Sequence, residues 1–176
     1  MKTIIVYYSN TGNNAALANR LSTELGADVF RLVEKKPRTI GASILDMAFG
    51  RSPPLESLPE GLETYDIVIF IGPVWMFHVA SPFRSVFRRN RQDIKRYAWI
   101  SVSGGALGPN APIAKELVRR MGKKLAFCLD LNIAQYCEVP PKPTAGDTGE
   151  YHIAEHPGDL DRLARVALEA IRNLRA

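Results

Sequence analysis

Apolar and polar residues are grouped along the chain in blocks that predict strands and helices in turn. Residues 3–8, 65–72 and 97–103 are almost continuously apolar and rich in β-branched or aromatic side chains, which is typical of strands buried on both faces. Residues 125–131 form a fourth such block, and residues 28–33 alternate polar and apolar side chains as an edge strand does. The pattern therefore predicts five strands.

Helical periodicity fills the stretches between these strands. Apolar residues recur every three or four positions in 17–25, 83–87 and 113–121, and again in a last helix that starts near Gly158 or Asp159. Strands that alternate with helices indicate an α/β protein with a parallel sheet and helices on both faces. Right-handed crossovers leave few arrangements for such a sheet.

Two long connections interrupt this alternation, at residues 34–63 and 132–157. The first has a short apolar helical pattern around residues 43–49 and then two prolines, and prolines break the second repeatedly. Connections of this length usually carry function or bind a partner. Each could cover a site or form the contact of a homodimer, and the sequence leaves both open.

Composition limits the class of protein. The 176 residues suit one domain, with 46% hydrophobic residues and no apolar run long enough to cross a membrane. Without a secretory leader, and with two cysteines that suggest no metal or disulfide framework, we expect a cytoplasmic protein. The net charge of +5 gathers partly in residues 84–91, which is more typical of a solvated helix face than of a nucleic-acid site, since no nucleic-acid-binding motif is present.

A turn of small polar residues joins the first strand to the first helix. Hydroxyl and amide side chains fill it: Ser9, Asn10, Thr11, Gly12, Asn13 and Asn14. Backbone N–H groups at a helix N-terminus are unpaired and lie at the positive end of the helix dipole, so the turn predicts a phosphate site. The alternative is a turn that only caps the helix through Thr11 or Asn10.

Large apolar side chains follow the third strand in a loop that ends at Ser81-Pro82, a typical helix start. The loop begins with Pro73, Val74, Trp75, Met76, Phe77 and His78. Trp75 could stack on a flat ring, or these side chains could close the top of the core. His78 could hydrogen-bond a ligand or deliver a proton, or it could be an exposed loop residue without such a role.

Ser103, Gly104 and Gly105 form a third turn, after the strand at residues 97–103. Glycine allows the backbone to approach a ligand closely. The same residues would also suit an ordinary strand-to-helix turn.

Together these turns resemble those of flavodoxin-like proteins. Ser9, Thr11 and Gly12 match the pattern S/T-x-T-G-x-T of the loop that holds the FMN 5′-phosphate, while Asn14 replaces the last hydroxyl residue and could still donate to phosphate. Residues 72–75 and 82–87 approximate the loop that lies along the isoalloxazine ring. The resemblance implies a doubly wound five-stranded parallel sheet of order 2-1-3-4-5, with the ligand at the switch point beside strands one and three.

The resemblance also implies a function, with alternatives. The leading hypothesis is an FMN-binding oxidoreductase that passes electrons from NAD(P)H or a reduced partner to a quinone or another small-molecule acceptor. A flavodoxin-type one-electron carrier between redox proteins is the second, disfavoured because residues 76–78 lack the glycine that such carriers often have there and because the chain is basic. A flavin-free nucleic-acid-binding module is the third. Histidines at 152 and 156 suggest no metal site, because Pro157 follows them.

Overall fold

A parallel five-stranded sheet with helices on both faces forms the centre of the fold in this computed structural model, which describes residues 1–36, 46, 50–104, 112–139 and 150–174. The strands are β1 (Thr3–Tyr7), β2 (Asp28–Arg31), β3 (Ile67–Ile71), β4 (Val74–Trp75), β5 (His78–Val79), β6 (Tyr97–Ser103) and β7 (Cys128–Asn132). The helices within the described residues are α1 (Asn13–Leu25), α2 (Pro82–Asn90), α3 (Pro112–Met121), α4 (Ile133–Tyr136) and α5 (Pro157–Arg172).

The strand order of the large sheet is β2-β1-β3-β6-β7, and all of its neighbouring pairs are parallel. Counted within this sheet alone, the order is 2-1-3-4-5, so the fold predicted from the sequence is confirmed. Strands β1 and β3 lie side by side where the direction of winding reverses. In doubly wound sheets this switch point is where ligands bind, beyond the carboxyl ends of the strands.

Burial explains the apolar runs of the sequence. Every residue of β1, β3 and β6 is buried, whereas β2 lies at the sheet edge and is mostly exposed. Alternate side chains enter two cores: Ile5 packs with α1 and α5 on one face, and Phe70 packs with α2 and α3 on the other. Continuous apolar strands are needed because helices cover both faces of the sheet.

Some predicted boundaries differ from the structure. Strand β7 begins at Cys128 rather than at residue 125. Val118, one of the apolar residues in the helical pattern at 113–121, is 42% exposed, because Ile113, Leu117 and Met121 supply the apolar face that this helix buries. Helix α5 begins at Pro157, a residue well suited to the first helical position.

The long connections contain some regular structure. The ends of the first are held together beside β2, where Glu34 and Leu55 form an antiparallel bridge. The helix expected around residues 43–49 lies outside the described residues except for Asp46. The second connection includes α4 and a 3₁₀ turn at Ile153–Glu155. In the parts of the chain that the structure describes, no helix has the length and apolar character needed to span a bilayer.

Candidate functional site at the carboxyl edge of the sheet

The loop after β1 ends in a left-handed glycine. Gly12 has φ 95° and ψ −24° and directly precedes α1, and its N–H donates to the Ser9 hydroxyl at 3.1 Å. A β-carbon at Gly12 would meet nothing within 4 Å, so glycine is required there by the backbone conformation and not by space. Asn10 and Thr11 are exposed on this turn. The loop therefore leaves hydroxyl and amide groups facing solvent beside the start of a helix.

The N-terminus of α1 is electrostatically suited to an anion. The helix has 13 residues, and its first turn contains no acidic side chain. Its first backbone N–H groups have no intrahelical acceptor, and the helix dipole adds positive potential there. The N-cap residue is Gly12, which has no side chain, so neither Thr11 nor Asn10 occupies the cap position of α1. These features are those of a phosphate site.

Asn13 and Asn14 use their side chains inside the protein. Both are buried, and the Asn14 amide accepts from Val102 N–H at 2.9 Å and donates to the Val102 carbonyl at 3.2 Å. The Asn13 amide does the same with a different segment, accepting from Ile153 N–H and donating to the Tyr151 carbonyl. The expectation that the Asn14 amide donates to phosphate in place of a hydroxyl therefore needs correction, because that amide is aimed at β6. Only the backbone N–H groups of the two asparagines remain predicted ligands.

The loop after β3 is a β-hairpin and not an irregular loop. Strands β4 and β5 pair antiparallel, with Trp75 opposite His78. Met76 and Phe77 form the turn with positive φ values of 45° and 63°, and their side chains are 65% and 39% exposed. Turns with two positive φ values normally contain asparagine or glycine. Two large apolar residues thus occupy a strained turn and face solvent, a combination that is typical of functional sites.

Trp75 connects the hairpin to the start of the first loop through a ring contact. Its half-buried ring meets the Tyr8 ring edge to face, with centroids 5.9 Å apart and planes at 86°. The Tyr8 hydroxyl donates to the Glu34 carboxylate at 2.7 Å. The tryptophan therefore does not sink fully into the core and stays partly exposed.

A buried carboxylate on α3 anchors the hairpin, and the sequence analysis missed it. Glu116 Oε2 accepts from Val79 N–H at 3.0 Å and lies 3.3 Å from His78 Nδ1, while Oε1 accepts from Arg120 Nε at 2.6 Å. Burial raises the pKa of Glu116, but the Val79 N–H and the Arg120 guanidinium outweigh it and lower the pKa overall. The clue in the sequence is an acidic residue on the same side of α3 as Ile113 and Leu117.

The carboxyl end of β6 lies beside the first loop. Ser103 is buried at the end of β6, and the carbonyl of Gly104 accepts from Ala134 N–H of α4 at 3.2 Å. The bonds between Asn14 and Val102 tie this strand end to α1. Gly105, the last residue of the predicted turn, lies outside the described residues.

The C-terminal connection supports the first loop from outside. The ring of His152 donates from Nδ1 to the Thr11 carbonyl at 3.1 Å. Tyr151 donates its hydroxyl to the buried Asp159 carboxylate, which also bonds Arg162 at 2.8 Å. Burial raises the pKa of Asp159, but the Tyr151 bond and the Arg162 charge outweigh it and leave the pKa below its usual range. An ionised Asp159 therefore fixes the segment that bonds the loop after β1.

The basic cluster of residues 84–91 does not reach this crevice. Arg84 is buried and donates to the carbonyls of Asp46 and Arg51, so it is not part of a solvated helix face. Arg88 and Arg89 are exposed, but they lie in the last turn of α2, about 9–10 Å from its start by helix geometry. Helix α2 begins at the carboxyl edge of the sheet and runs back to the amino edge, where β6 starts. These arginines therefore do not face a ligand bound at the switch point.

Solved structures match this arrangement, although no protein-family model and no curated protein matches the sequence. A flavoprotein from Lactobacillus acidophilus NCFM in complex with FMN is 18% identical, with a TM-score of 0.64 over 73% of this chain and 92% of its own. A flavodoxin from the domain Archaea is 14% identical, with a TM-score of 0.52 over 100% of both chains. A Fusobacterium nucleatum flavodoxin mutant bound to flavin mononucleotide is 12% identical, with a TM-score of 0.51 over 98% of this chain and 97% of its own. At these identities the likeness establishes the fold, and the chain has the flavodoxin-like fold.

Proposed function

We propose that the chain binds FMN at the carboxyl edge of its sheet and acts as a flavin-dependent oxidoreductase. One observation carries the proposal: beside the switch point between β1 and β3, the segment after β1 contacts both the hairpin after β3 and the carboxyl end of β6. The ring of Tyr8 contacts Trp75, and the Asn14 amide bonds the backbone of Val102 near the end of β6. A crevice in this place is where doubly wound sheets bind their ligands.

The donor groups of the first loop fit the phosphate of FMN. They comprise the exposed side chains of Asn10 and Thr11, the hydroxyl of Ser9 and the N–H groups at the start of α1. No carboxylate occurs between residues 8 and 14, so nothing within the loop repels an anion. Gly12 gives the turn the left-handed backbone that directs the chain into the helix.

The hairpin fits the ring system of FMN. Trp75 offers a partly exposed π surface, and Met76 and Phe77 add apolar side chains that are already held in solvent. FMN supplies the redox chemistry when it is bound, and the surrounding chain binds and orients it. The FMN complexes of the Lactobacillus and Fusobacterium proteins support the choice of ligand, since their folds match this one.

The electron route is the finer part of the proposal. NAD(P)H or a reduced partner would supply electrons, and a quinone or another small molecule would accept them. The basic residues of α2 are not assigned to the donor, because their exposed members lie at the opposite edge of the sheet. The hairpin turn contains no glycine, which supports an oxidoreductase over a one-electron carrier.

A fluorescence titration tests cofactor binding. FMN added to ligand-free protein should lose its fluorescence in a saturable way, and riboflavin, which lacks the phosphate, should bind at least about tenfold more weakly because the helix N-terminus would have no anion to hold. Equal affinities for FMN and riboflavin would refute the phosphate site. If neither compound binds, the proposed function is refuted.

Anaerobic reduction tests the electron route. NADH or NADPH should bleach the flavin absorbance of the loaded protein, and a quinone should restore it. The alternative, a one-electron carrier, predicts a different result. Neither NADH nor NADPH would reduce the flavin, and electrochemical reduction would occur in two well-separated one-electron stages.

A further inference from the structure

The hairpin that borders the crevice is held in a conformation that its own sequence disfavours. Met76 and Phe77 both have positive φ, a region that residues with large side chains rarely adopt. Such a turn persists only where surrounding contacts fix it. The pairing of β4 with β5 is short, with Val74 opposite Val79 and Trp75 opposite His78. Contacts from outside the hairpin must therefore contribute to its shape.

Glu116 supplies such a contact from α3. Its side chain is 5% exposed, and one carboxylate oxygen receives both the Val79 N–H and the His78 ring on the second strand of the hairpin. The other oxygen bonds Arg120 at 2.6 Å, which fixes the carboxylate against its own helix. A hydrogen bond to a buried charged group is stronger than one between neutral groups. Glu116 thus links a rigid helix to the strained turn.

The same contact determines which nitrogen of His78 carries the proton. A carboxylate can only accept a hydrogen bond, so the Nδ1 atom that faces it must be protonated. The side chain of His78 is 55% exposed while that of Glu116 is 5% exposed, so the exposed part of the ring is the edge away from Glu116. That edge carries Nε2, which in the neutral ring is then an acceptor directed away from the helix.

We infer that Glu116 is a positioning residue of the crevice: it holds the Met76–Phe77 turn in its strained form and presents His78 with Nδ1–H inward and Nε2 outward, as a hydrogen-bonding group for the bound ligand. The identity of that ligand as FMN rests on the proposed function. The link between Glu116, Val79 and His78 belongs to the ligand-free protein and is tested there.

Nitrogen NMR of the ligand-free protein tests the inference directly. Neutral His78 should show a protonated Nδ1 and an unprotonated Nε2 in the wild-type protein, a reading that needs no variant. In Glu116→Gln the tautomer should shift toward protonated Nε2, and the Val79 amide should exchange with solvent roughly tenfold faster or more, because it loses a charged acceptor. Glu24→Gln is the matched control, since Glu24 also bonds an arginine four residues away, Arg20, at 3.0 Å but far from the hairpin.

The outcomes separate the inference from the proposed function. A wild-type His78 with its proton on Nε2, or a Glu116→Gln protein with unchanged Val79 exchange, would overturn the positioning role whether or not FMN binds. If the tautomer and the exchange behave as expected, FMN affinity should fall about tenfold in Glu116→Gln and stay unchanged in Glu24→Gln. Expected NMR results with no FMN binding by the wild type would leave the positioning role in place and refute the flavin.

Discussion

Replacement of Asn14 tests whether its amide holds the backbone of Val102, as in the structure, or binds phosphate, as its sequence position suggests. The Asn14 amide makes two hydrogen bonds with the Val102 backbone, at 2.9 and 3.2 Å, and the residue is 3% exposed. Asn14→Ala would leave a buried N–H and a buried C=O without partners, and each unsatisfied group costs about 1–3 kcal/mol. The free energy of unfolding should therefore fall by about 2–6 kcal/mol, even without ligand.

Urea unfolding of the ligand-free protein, followed by circular dichroism, measures this loss. The midpoint should fall while the slope with denaturant stays constant, because the surface exposed on unfolding hardly changes. Asn19→Ala on the exposed side of the same helix is the control, and its free energy of unfolding should stay within about 0.5 kcal/mol of the wild type. If Asn14→Ala unfolds like the control but binds FMN more weakly, then the amide binds the ligand, and a structural role for its bonds to Val102 is refuted.

Four further substitutions test the backbone and the core. Gly12→Ala and Gly26→Ala place alanine at positive φ at opposite ends of α1, and no atom lies near the new methyl group in either case. Both variants should therefore lose about 1–2 kcal/mol of stability in urea. Only Gly12→Ala should weaken FMN binding in a fluorescence titration. Gly72→Ala puts a β-carbon 2.2 Å from the ring of fully buried Phe83, and unfolding in urea should show a loss of about 1–3 kcal/mol; wild-type stability would mean that the ring moves aside freely. Burial raises the pKa of Tyr97 from 10.0 to about 12, so its contribution to stability is complete below pH 10 and is lost as the pH rises through 12. In Tyr97→Phe the free energy of unfolding should therefore fall less steeply as the pH rises from 10 to 12. An unchanged dependence on pH would contradict this.

The sheet could be predicted from the sequence because its strands are buried on both faces. The apolar run at residues 97–103 predicts a strand with the bounds that β6 has, and the run at residues 65–72 encloses β3. Such strands need continuous apolar runs, which few other structures produce at this length. The order of the strands followed from the alternation with helices and from the resemblance of the turns.

The hairpin after β3 could not be predicted from the sequence. Short hairpins are indicated by Asn-Gly or Asp-Gly at the turn, and here the turn residues are Met76 and Phe77. Tertiary contacts hold this turn, including the bond from Val79 to Glu116, which is 37 residues further along the chain. A contact at that separation leaves no local pattern.

Two polar residues that could serve an anion are used inside the protein instead. Asn14 and Arg84 have side chains that suit anions, yet both bond backbone carbonyls inside the protein. Residue type alone cannot show whether a side chain binds phosphate or bonds the backbone, because amide and guanidinium groups can donate to phosphate oxygens and to backbone carbonyls alike. Burial decides between them, and burial depends on the whole fold.

Amide NMR shifts on addition of FMN test the central claim most directly, because they report the place of binding residue by residue. The account predicts saturable shifts in three separated segments, 10–14, 75–78 and 103–104, together with the indole N–H of Trp75. Shifts confined to any one of these segments, or centred instead on the cleft between α3 and β7 that Val118 and Cys128 line, would contradict the claim that three loops bind one flavin.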